Sequence, residues 1–211
     1  MNTAVSELFP IPLETPEQNY WLGFLMGDGY IQGSKEKGYS LCVECAVRDA
    51  YHVSRFGRFV GKPAASHRTC VRVVKGCSKE LGHLAKHGLI LRKTGKECWP
   101  ETVTHVGSFF RGIFDADGWV SEQKSSVQFG VCGASWEFLA KLGSVVSSEL
   151  MLDITPRKFK NANCFSITCS LSGWRLQKLH KFLYQSPGEP RLHRKERIIR
   201  LNAFGKKARV H

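Results

Sequence analysis

The sequence predicts an α+β protein made of two αββαββα repeats, each containing a four-stranded antiparallel sheet. The first observation is a pair of similar segments, YWLGFLMGDGYI at residues 20–31 and FFRGIFDADGWV at residues 109–120. Both are apolar, helix-like stretches that end in Asp-Gly, and their aspartates, Asp28 and Asp117, are 89 positions apart. The second observation is that strand-like and helix-like segments follow both aspartates in the same order. Such repetition is typical of two pseudo-symmetric halves.

In the first half, alternating apolar and polar residues predict two strands, GYIQGS and YSLCVECAV, with a turn at Lys37-Gly38. The segment RDAYHVSRFGRFVG then has the apolar spacing of a helix. Shorter strands are predicted around AASHR and CVRVVK, and SKELGHLAKHGL is predicted to be a helix capped by Ser78. The first repeat therefore spans residues 1–96, including a short N-terminal extension.

The second half repeats this order after a linker at residues 97–104. GWVSEQ and SVQFGVCG are predicted strands, and SWEFLAKLGSVVSSEL is a predicted amphipathic helix capped by Ser135. DITPRKFK and CFSITCS form the next predicted hairpin, and SGWRLQKLHKFLY the last helix of the repeat. The second repeat then covers residues 105–187, and a basic C-terminal segment covers residues 188–211. Each half also carries an Arg-Lys pair near its end, in GLILRKTG and PRLHRKER.

The charge of the chain predicts a polyanionic partner. Lys and Arg total 31 against 18 Asp and Glu, which gives a formal net charge of +13. Each phosphate neutralised by Lys or Arg releases bound counterions, so such an excess favours nucleic acid. The alternative is that the charge only keeps the protein soluble. Since the sequence has no run of about 18 apolar residues and no secretory signal pattern, we expect a cytoplasmic protein without a membrane partner.

The eight cysteines predict reduced thiols rather than disulfides. Cys42 and Cys45 are three apart on a predicted strand, so their side chains point to opposite faces and suit neither a disulfide nor a shared metal. Cys77, His83 and His87 are a second candidate metal set, with the two histidines on one helix face. Their intervals do not fit a structural zinc pattern, and a solvated helix face is the preferred interpretation.

Small residues predict that the two Asp-Gly helices pack against each other. Gly23 and Gly27 share one face of the first helix, and Gly112 and Ala116 take the corresponding places in the second. Two such strips allow helix backbones to approach closely. This contact would bring Asp28 and Asp117, the residues at the C-terminal ends of the helices, to one place.

Two acids at that place require compensation. The C-terminal end of a helix carries partial negative charge, and two carboxylates also repel each other. A divalent cation relieves both effects, and metal-bound carboxylates beneath a phosphodiester are suited to hydrolysis by metal-activated water. The alternative is that Asp28 and Asp117 only begin turns, with Gly29 and Gly118 behind them. The shared context of the pair favours the metal site.

WLGFLMGDG (21–29) and FRGIFDADG (110–118) resemble the two motif copies of the single-chain LAGLIDADG homing endonucleases. The resemblance extends from about residue 20 to the Arg-Lys pair near residue 195. It implies two four-stranded sheets that form a saddle for double-stranded DNA, with the motif helices at the interface. It also implies that Asp28 and Asp117 bind Mg²⁺ at the cleavage centre. Mn²⁺ is a plausible replacement, and Ca²⁺ would support binding without cleavage.

Two departures from the motif are present. Met26 stands where its first aspartate is common, whereas Asp115 retains that residue in the second copy. Arg111 replaces a small residue and is expected to face solvent or DNA. The resemblance also implies a lysine near the scissile phosphate at the end of the fourth strand, which falls on Lys75. An ordinary exposed lysine is the alternative interpretation, and Ser170 or Ser172 takes that place in the second half.

The sheets are expected to contact DNA with the side chains that point away from the helices. On the second strands, Leu41, Val43 and Cys45 are predicted to face the helices, leaving Cys42 on the DNA side. Arg194 and Lys195 of the basic C-terminal segment are candidate phosphate contacts. The other predicted DNA contacts are Gln32, Ser34, Glu36, Ser40, Glu44, Arg68, Arg72, Ser121, Gln123, Ser125, Gln128, Arg157, Lys158 and Lys160.

The predicted function is a monomeric, site-specific endonuclease that cuts both strands of a long, asymmetric DNA target. Enzymes of this kind promote the copying of their own gene, including genes carried in introns. The alternative is a binding protein on the same scaffold, either a splicing maturase for its own intron RNA or a non-catalytic DNA-binding protein. Retention of both acids favours the nuclease, because a carboxylate next to phosphate weakens simple binding.

Overall fold

The structure is a computed structural model that describes residues 3–152, 154–158, 164–184 and 188–205. The predicted α+β class and its two-repeat architecture are confirmed. The first half contains α1 Val5–Leu8, α2 Pro16–Gly27, β1 Gly29–Ser34, β2 Gly38–Ala46, α3 Ala50–Val60, β3 Ala65–His67, β4 Cys70–Gly76 and α4 Leu81–Lys86. The second contains α5 Val106–Asp117, β5 Gly118–Glu122, β6 Val127–Gly133, α6 Trp136–Leu150, β7 Arg157–Lys158, β8 Phe165–Leu171, α7 Gly173–Leu183 and α8 His193–Phe204.

Each half holds one antiparallel sheet with the same topology. The strand orders are β1-β2-β4-β3 and β5-β6-β8-β7. Gly29 pairs with Val43 in the first sheet, and Gly118 pairs with Val131 in the second. Both sheets therefore begin directly behind the helix that carries the candidate acid.

Local signals explain where the main helices begin and end. Thr15 caps α2 in a reciprocal capping box with Gln18, and Pro16 fills the first helical position. Ser135 caps α6 by accepting the Phe138 N–H at 3.2 Å. The predicted cap at Ser78 is wrong, because its hydroxyl accepts the backbone N–H of Tyr39 from β2 at 2.6 Å instead. The linker region predicted at residues 97–104 contains no helix or strand.

Both sheets bury one face against the helices, and we call this the inner face. Leu41, Val43 and Val73 are at most 1% exposed in the first sheet. Val127, Phe129 and Val131 are equally buried in the second. The opposite side, called the outer face, carries the polar strand residues of alternating parity. Burial on one side only fixes the strand register, because a slip of one residue would reverse both faces.

Helices α2 and α5 pack backbone to backbone at the centre of the molecule. A methyl group on Gly23 would lie 2.1 Å from the carbonyl oxygen of Phe109. A methyl group on Gly112 would lie 2.1 Å from the carbonyl oxygen of Tyr20. Each glycine thus meets the residue three positions before the other glycine, as a pseudo-twofold axis requires. Only glycine permits this separation on both sides.

The C-terminal segment is tied to both halves by arginines. Arg111 is 1% exposed, so the expectation that it faces solvent or DNA is wrong. Its Nε donates to the carbonyl oxygen of Pro190 at 3.0 Å, and its guanidinium also bonds Glu189 and the Leu183 carbonyl. Arg55 of α3 donates to the carbonyl oxygens of Gly188 and Glu189. Among the described helices, none is long and apolar enough to cross a membrane.

Candidate functional site

Asp28 and Asp117 lie at the adjoining C-terminal ends of α2 and α5. The backbone N–H of Asp28 closes the last turn of α2 on the Phe24 carbonyl oxygen at 3.0 Å. Asp117 is the final residue of α5. A methyl group on Gly27 would lie 2.8 Å from Asp117 Oδ2 and 2.4 Å from the Ala116 side chain. The small residues at 27 and 116 therefore allow the two acidic helix ends to meet.

Both carboxyl groups are harder to ionise than an ordinary aspartate. The pKa of Asp117 is raised to about 6, first by burial and second by the negative charge of Asp28. Asp117 keeps an exposed edge, but protein atoms crowd the rest of the carboxyl group and desolvate it. The pKa of Asp28 is also raised, chiefly by burial. Burial of the two carboxyl groups therefore outweighs the stabilisation that nearby positive charges give to their ionised forms.

Two lysines approach the acids, one from each half. Lys93 Nζ donates to the carbonyl oxygen of Gly27 at 2.8 Å, at the end of α2. Lys195 Nζ donates to the carbonyl oxygens of Phe114 and Asp115 at 2.5 and 2.9 Å and to that of Gly118, at the end of α5. Both positive charges lower the pKa values of both acids. Cations at these positions also offset the helix dipoles.

The sequence pattern does not predict that Lys93 and Lys195 lie at the acids. Lys195 was predicted as a phosphate contact on the basic C-terminal segment, yet its side chain is only 3% exposed. It is a buried cap of α5, and burial lowers its pKa to about 8. Lys93 was not predicted at all. The signal that could have identified both is the Arg-Lys pair that recurs at residues 92–93 and 194–195.

A buried polar network fixes the segment that carries Lys195. Asp115 Oδ2 accepts the Tyr20 hydroxyl and the Leu192 backbone N–H, each at 2.8 Å. The Tyr20 hydroxyl also lies 2.8 Å from His52 Nε2. Since the hydroxyl gives its proton to Asp115, His52 donates to it. Asp115 of α5 is thereby joined to α2, to α3 through the Tyr20 hydroxyl, and to Leu192. Leu192 immediately precedes α8 and lies three positions before Lys195.

A cavity of about 250 Å³ opens beside Asp28 and is lined by residues of both halves. The Cys45 thiol of β2 lies 3.9 Å from Asp28 Oδ2, so Cys45 borders the acid as well as the core. Its pKa is raised to about 12, first by burial and then by the charge of Asp28, which keeps it a neutral thiol. Arg194 lines the same cavity and donates to Asp49 at 3.2 Å. Arg194, a predicted phosphate contact, is thus already paired with a carboxylate of the protein itself.

Most of the predicted sheet contacts lie on the outer faces or in the turns next to them. Arg72 on β4 lies opposite Glu44 on β2. Cys42 also belongs to the outer face but is 0% exposed, because the Arg72 guanidinium and the Tyr30 ring cover it. Gln32, Ser34 and Ser40 share the first outer face, and Ser121, Gln128 and Arg157 share the second. Glu36, Arg68, Gln123 and Ser125 lie in turns between strands.

Two of the predicted basic contacts, Arg157 and Lys158, are neighbours on β7 and point to opposite sides of the sheet. Lys158 pairs with Phe165, whereas its neighbour Arg157 pairs with Ser166. Adjacent strand residues point to opposite faces, so Arg157 is on the outer face and Lys158 is not. Lys158 is nevertheless exposed at the edge of the sheet, and its contact with DNA stays a prediction. Lys160 lies outside the described residues.

Solved structures with a similar architecture include LAGLIDADG homing endonucleases bound to DNA. Meganuclease I-SmaMI, solved on uncleaveable DNA, matches with a TM-score of 0.58 and 12% identity over 89% of this chain and 87% of that chain. LAGLIDADG homing endonuclease I-GzeII, in complex with its DNA target, matches with a TM-score of 0.57 and 10% identity over 88% and 87%. The present chain has the LAGLIDADG fold. No protein-family model and no curated protein matches the sequence.

Within this LAGLIDADG fold, Lys75 is not at the acids. It lies on β4 opposite Leu41, on the inner face, with 3% exposure. Its Nζ donates to the carbonyl oxygen of Thr3 at 2.5 Å. The predicted position of Lys75 in the catalytic centre is therefore wrong. In the second half, Ser170 lies on the outer face opposite Gln128, and Ser172 precedes α7.

The histidines of the alternative metal set have other partners. His83 Nε2 and His87 Nε2 approach the Phe9 carbonyl oxygen at 2.6 and 2.9 Å. His87 Nδ1 also bonds the Thr102 hydroxyl at 2.8 Å. These contacts join α4 to the N-terminal segment and to the linker region, which is a structural role.

The donor chemistry at the acids of this LAGLIDADG fold suits a hard divalent cation. Asp28 and Asp117 offer carboxylate oxygens, the ligands preferred by Mg²⁺, Mn²⁺ and Ca²⁺. Burial raises the pKa values of both groups, the charge of Asp28 raises that of Asp117 further, and a cation would reverse these effects. The residues present therefore fit an oxygen-liganded metal.

Proposed function

We propose that this protein is a site-specific DNA endonuclease that hydrolyses one phosphodiester in each strand of double-stranded DNA. The observation that carries the proposal is the meeting of Asp28 and Asp117 at the joined ends of α2 and α5, with Lys93 and Lys195 beside them. Two acids and two cations in pseudo-symmetric positions suit two symmetric cleavage events. DNA-bound neighbours of the same fold support this assignment.

Asp28 and Asp117 would hold the metal, with Mg²⁺ as the proposed ion. When bound, such an ion supplies Lewis-acid stabilisation and an activated water. The carboxylates orient the ion against the helix ends, where exposure of Asp117 leaves an approach for a phosphate. Mn²⁺ is expected to replace Mg²⁺, and Ca²⁺ to support binding only.

Lys93 and Lys195 would hold positive charge close to the reacting phosphate. Their hydrogen bonds to the carbonyls of Gly27 and of Phe114, Asp115 and Gly118 fix each ammonium group at the acids. A preorganised cation stabilises negative charge that develops during hydrolysis without reorganisation of the site. We propose this role in place of the one expected for Lys75.

The two outer faces would lie along the DNA on either side of the acids. Arg72 and Arg157 supply positive charge there, one on each sheet. Glutamine and serine side chains, including Gln32 and Gln128, can hydrogen-bond base edges in the major groove. The two faces differ in sequence, so an asymmetric target read by a monomer is expected. Such a specificity suits an enzyme that promotes copying of its own gene.

The test begins with a plasmid library carrying randomised inserts. The protein is incubated with the library and Mg²⁺, and the ends produced are sequenced to find the target. Asp28→Asn and Asp117→Asn are each expected to lower double-strand cleavage of that target by at least about 1,000-fold, because metal catalysis contributes several kcal/mol. Both variants are expected to retain Ca²⁺-supported binding.

Glu101→Gln is the matched control, because it removes an exposed carboxylate in the linker region, away from the acids. It is expected to cleave like the parent protein. Undiminished cleavage by either aspartate variant would refute the metal assignment. Tight binding of a selected DNA without cleavage by the parent, under Mg²⁺ or Mn²⁺, would instead identify a non-catalytic DNA-binding protein.

A further inference from the structure

A second group of metal-ligating side chains lies on the outer face of the first sheet, apart from the two aspartates. Glu44, His67 and Cys70 each offer one ligand atom, and these atoms all lie within 4.8 Å of one another. The group combines one carboxylate oxygen, one imidazole nitrogen and one thiol sulfur. From this geometry we propose that Glu44, His67 and Cys70 form a binding site for a soft divalent cation of the Zn²⁺ type.

The sheet register explains why the three residues meet. His67 and Cys70 are paired across the β3–β4 hairpin, so their side chains share a face. Arg68, at the turn, has φ of 53°, in the left-handed region that a two-residue turn of this kind requires. Glu44 lies on the neighbouring strand β2 opposite Arg72, two residues along β4 from Cys70. The site is therefore built on strand positions rather than on a long mobile loop.

The distances are close to those of a coordinated set. Ligands 2.0–2.3 Å from a tetrahedral zinc ion are separated from one another by roughly 3.3–3.8 Å. Cys70 Sγ lies 3.1 Å from Glu44 Oε1 and 3.8 Å from His67 Nδ1. Small rotations of the exposed Glu44 and His67 side chains would place an ion among the three atoms.

The contacts in the absence of metal identify the proton that the ion would displace. Cys70 Sγ lies 3.1 Å from Glu44 Oε1 and 2.8 Å from the His67 carbonyl oxygen, which are two acceptors for its single thiol proton. Metal binding would exchange this proton for the cation and convert the thiol to a thiolate, releasing one proton to solvent. Arg72 approaches the other carboxylate oxygen, Oε2, at 3.7 Å. Oε1 is thus directed at the proposed ion and Oε2 at the guanidinium.

The two sites would select different ions. Asp28 and Asp117 provide oxygen ligands, which suit Mg²⁺, whereas thiolate and imidazole favour Zn²⁺ or its spectroscopic substitute Co²⁺. Three protein ligands leave a fourth tetrahedral position, as in zinc sites that keep one place for water or a ligand.

The experiment is a Co²⁺ titration of the full chain without DNA, in a buffer with a phosphine reductant. Coordination by Cys70 is expected to produce a thiolate-to-cobalt absorption band that saturates at one equivalent, and Zn²⁺ is expected to abolish it by displacement. Cys70→Ser is expected to remove the band, and His67→Asn and Glu44→Gln to weaken Co²⁺ binding at least about tenfold. Circular dichroism verifies that each variant is folded.

Cys98→Ser is the matched control, since it removes an exposed cysteine of the linker region and is expected to leave the band unchanged. Asp28→Asn and Asp117→Asn are also expected to leave it unchanged, so the result is independent of whether the protein cleaves DNA. Absence of the band in the parent protein, or its persistence in Cys70→Ser, would overturn the proposed site.

Discussion

Lys93 reaches the end of α2 from a loop, whereas Lys195 reaches the end of α5 from within helix α8. Lys93 donates to one carbonyl oxygen, that of Gly27, and remains partly exposed. Lys195 donates to three carbonyl oxygens and is 3% exposed. The two halves therefore present the same charge at the same place, but they differ in how firmly that charge is held.

The network around α8 accounts for this difference. Asp115 bonds the Leu192 N–H, Arg191 pairs with Glu196 at 3.0 Å, and Arg194 pairs with Asp49. These contacts hold α8 in place independently of the hydrogen bonds that Lys195 makes. In the first half, the lysine follows α4 in a segment of turns. The ammonium groups of Lys93 and Lys195 therefore occupy corresponding positions in the two halves, but more contacts hold Lys195 in place than hold Lys93.

The largest expected effect concerns the symmetric part, the contact between α2 and α5. Gly23→Ala and Gly112→Ala are each expected to lower the free energy of unfolding by about 3 kcal/mol, because either methyl group would meet a backbone oxygen at 2.1 Å. Urea denaturation measures both. The two values are expected to agree, since the contacts are reciprocal.

Gly76→Ala is the control for this pair, because a methyl group there would have no atom within 4 Å. It is expected to change stability little. A large difference between Gly23→Ala and Gly112→Ala would show that the interface is not symmetric. Tolerance of both substitutions would contradict the close packing of the two helices.

A smaller and unequal effect is expected at the lysines. Lys195→Met is expected to destabilise the protein by about 2–3 kcal/mol, because it leaves buried carbonyl oxygens without a charged donor. Lys93→Met, at a partly exposed site with one such bond, is expected to cost about 1 kcal/mol. Denaturation of both variants in EDTA measures this difference without any contribution from bound metal.

Cleavage provides a second comparison of the same variants. At temperatures where both remain folded, each is expected to reduce cleavage, since each removes a cation beside the acids. Lys75→Met is the matched control, because that lysine bonds Thr3 on the inner face of the first sheet. Equal destabilisation by Lys93→Met and Lys195→Met would contradict the proposed difference in support. Loss of cleavage in a folded Lys75→Met protein would restore the role expected from the sequence.

These lysines also show which features the sequence could predict. Asp28 and Asp117 could be located because each is attached directly to a helix whose small residues define its contact face. Lys75 was misplaced even though Val71, Val73 and Lys75 share strand parity, and the first two are buried on the inner face. The alternation therefore indicates the inner face for Lys75, in conflict with the position that the family resemblance implies.

The remaining features depend on contacts between distant segments. Lys93 and Lys195 reach the acids only because the chain segments after α4 and after α7 fold back onto α2 and α5. No local periodicity in the sequence predicts that these segments fold back. The repeated Arg-Lys pair is the one sequence feature that indicates it. The burial of Arg111 has the same origin, since its partners Glu189 and Pro190 are almost eighty positions away along the chain. The local pattern around Arg111 gave no indication of them.

The smallest expected effect compares the two acids in the metal-free protein. The pKa of Asp117 is raised to about 6 in the folded state from an ordinary value of 3.8, first by burial and then by Asp28. The folded protein thus binds this proton more tightly than the unfolded chain does. Asp117 therefore opposes folding at pH 7, and the opposition disappears as pH falls from about 6 towards 4. In EDTA, Asp117→Asn is expected to be more stable than the parent at pH 7, with a difference that shrinks towards pH 4.

Asp28→Asn sharpens this comparison, because it removes the second cause of the raised pKa while leaving the burial of Asp117 in place. The pKa of Asp117 is then expected to fall in this variant but to stay above its ordinary value, since burial is the larger cause. A carboxyl ¹³C NMR titration of metal-free protein measures it directly. Glu101→Gln, which removes an exposed carboxylate of the linker region, is expected to leave the titration of Asp117 unchanged. An unchanged Asp117 titration in Asp28→Asn would mean that the two carboxyl groups lie too far apart to share a cation.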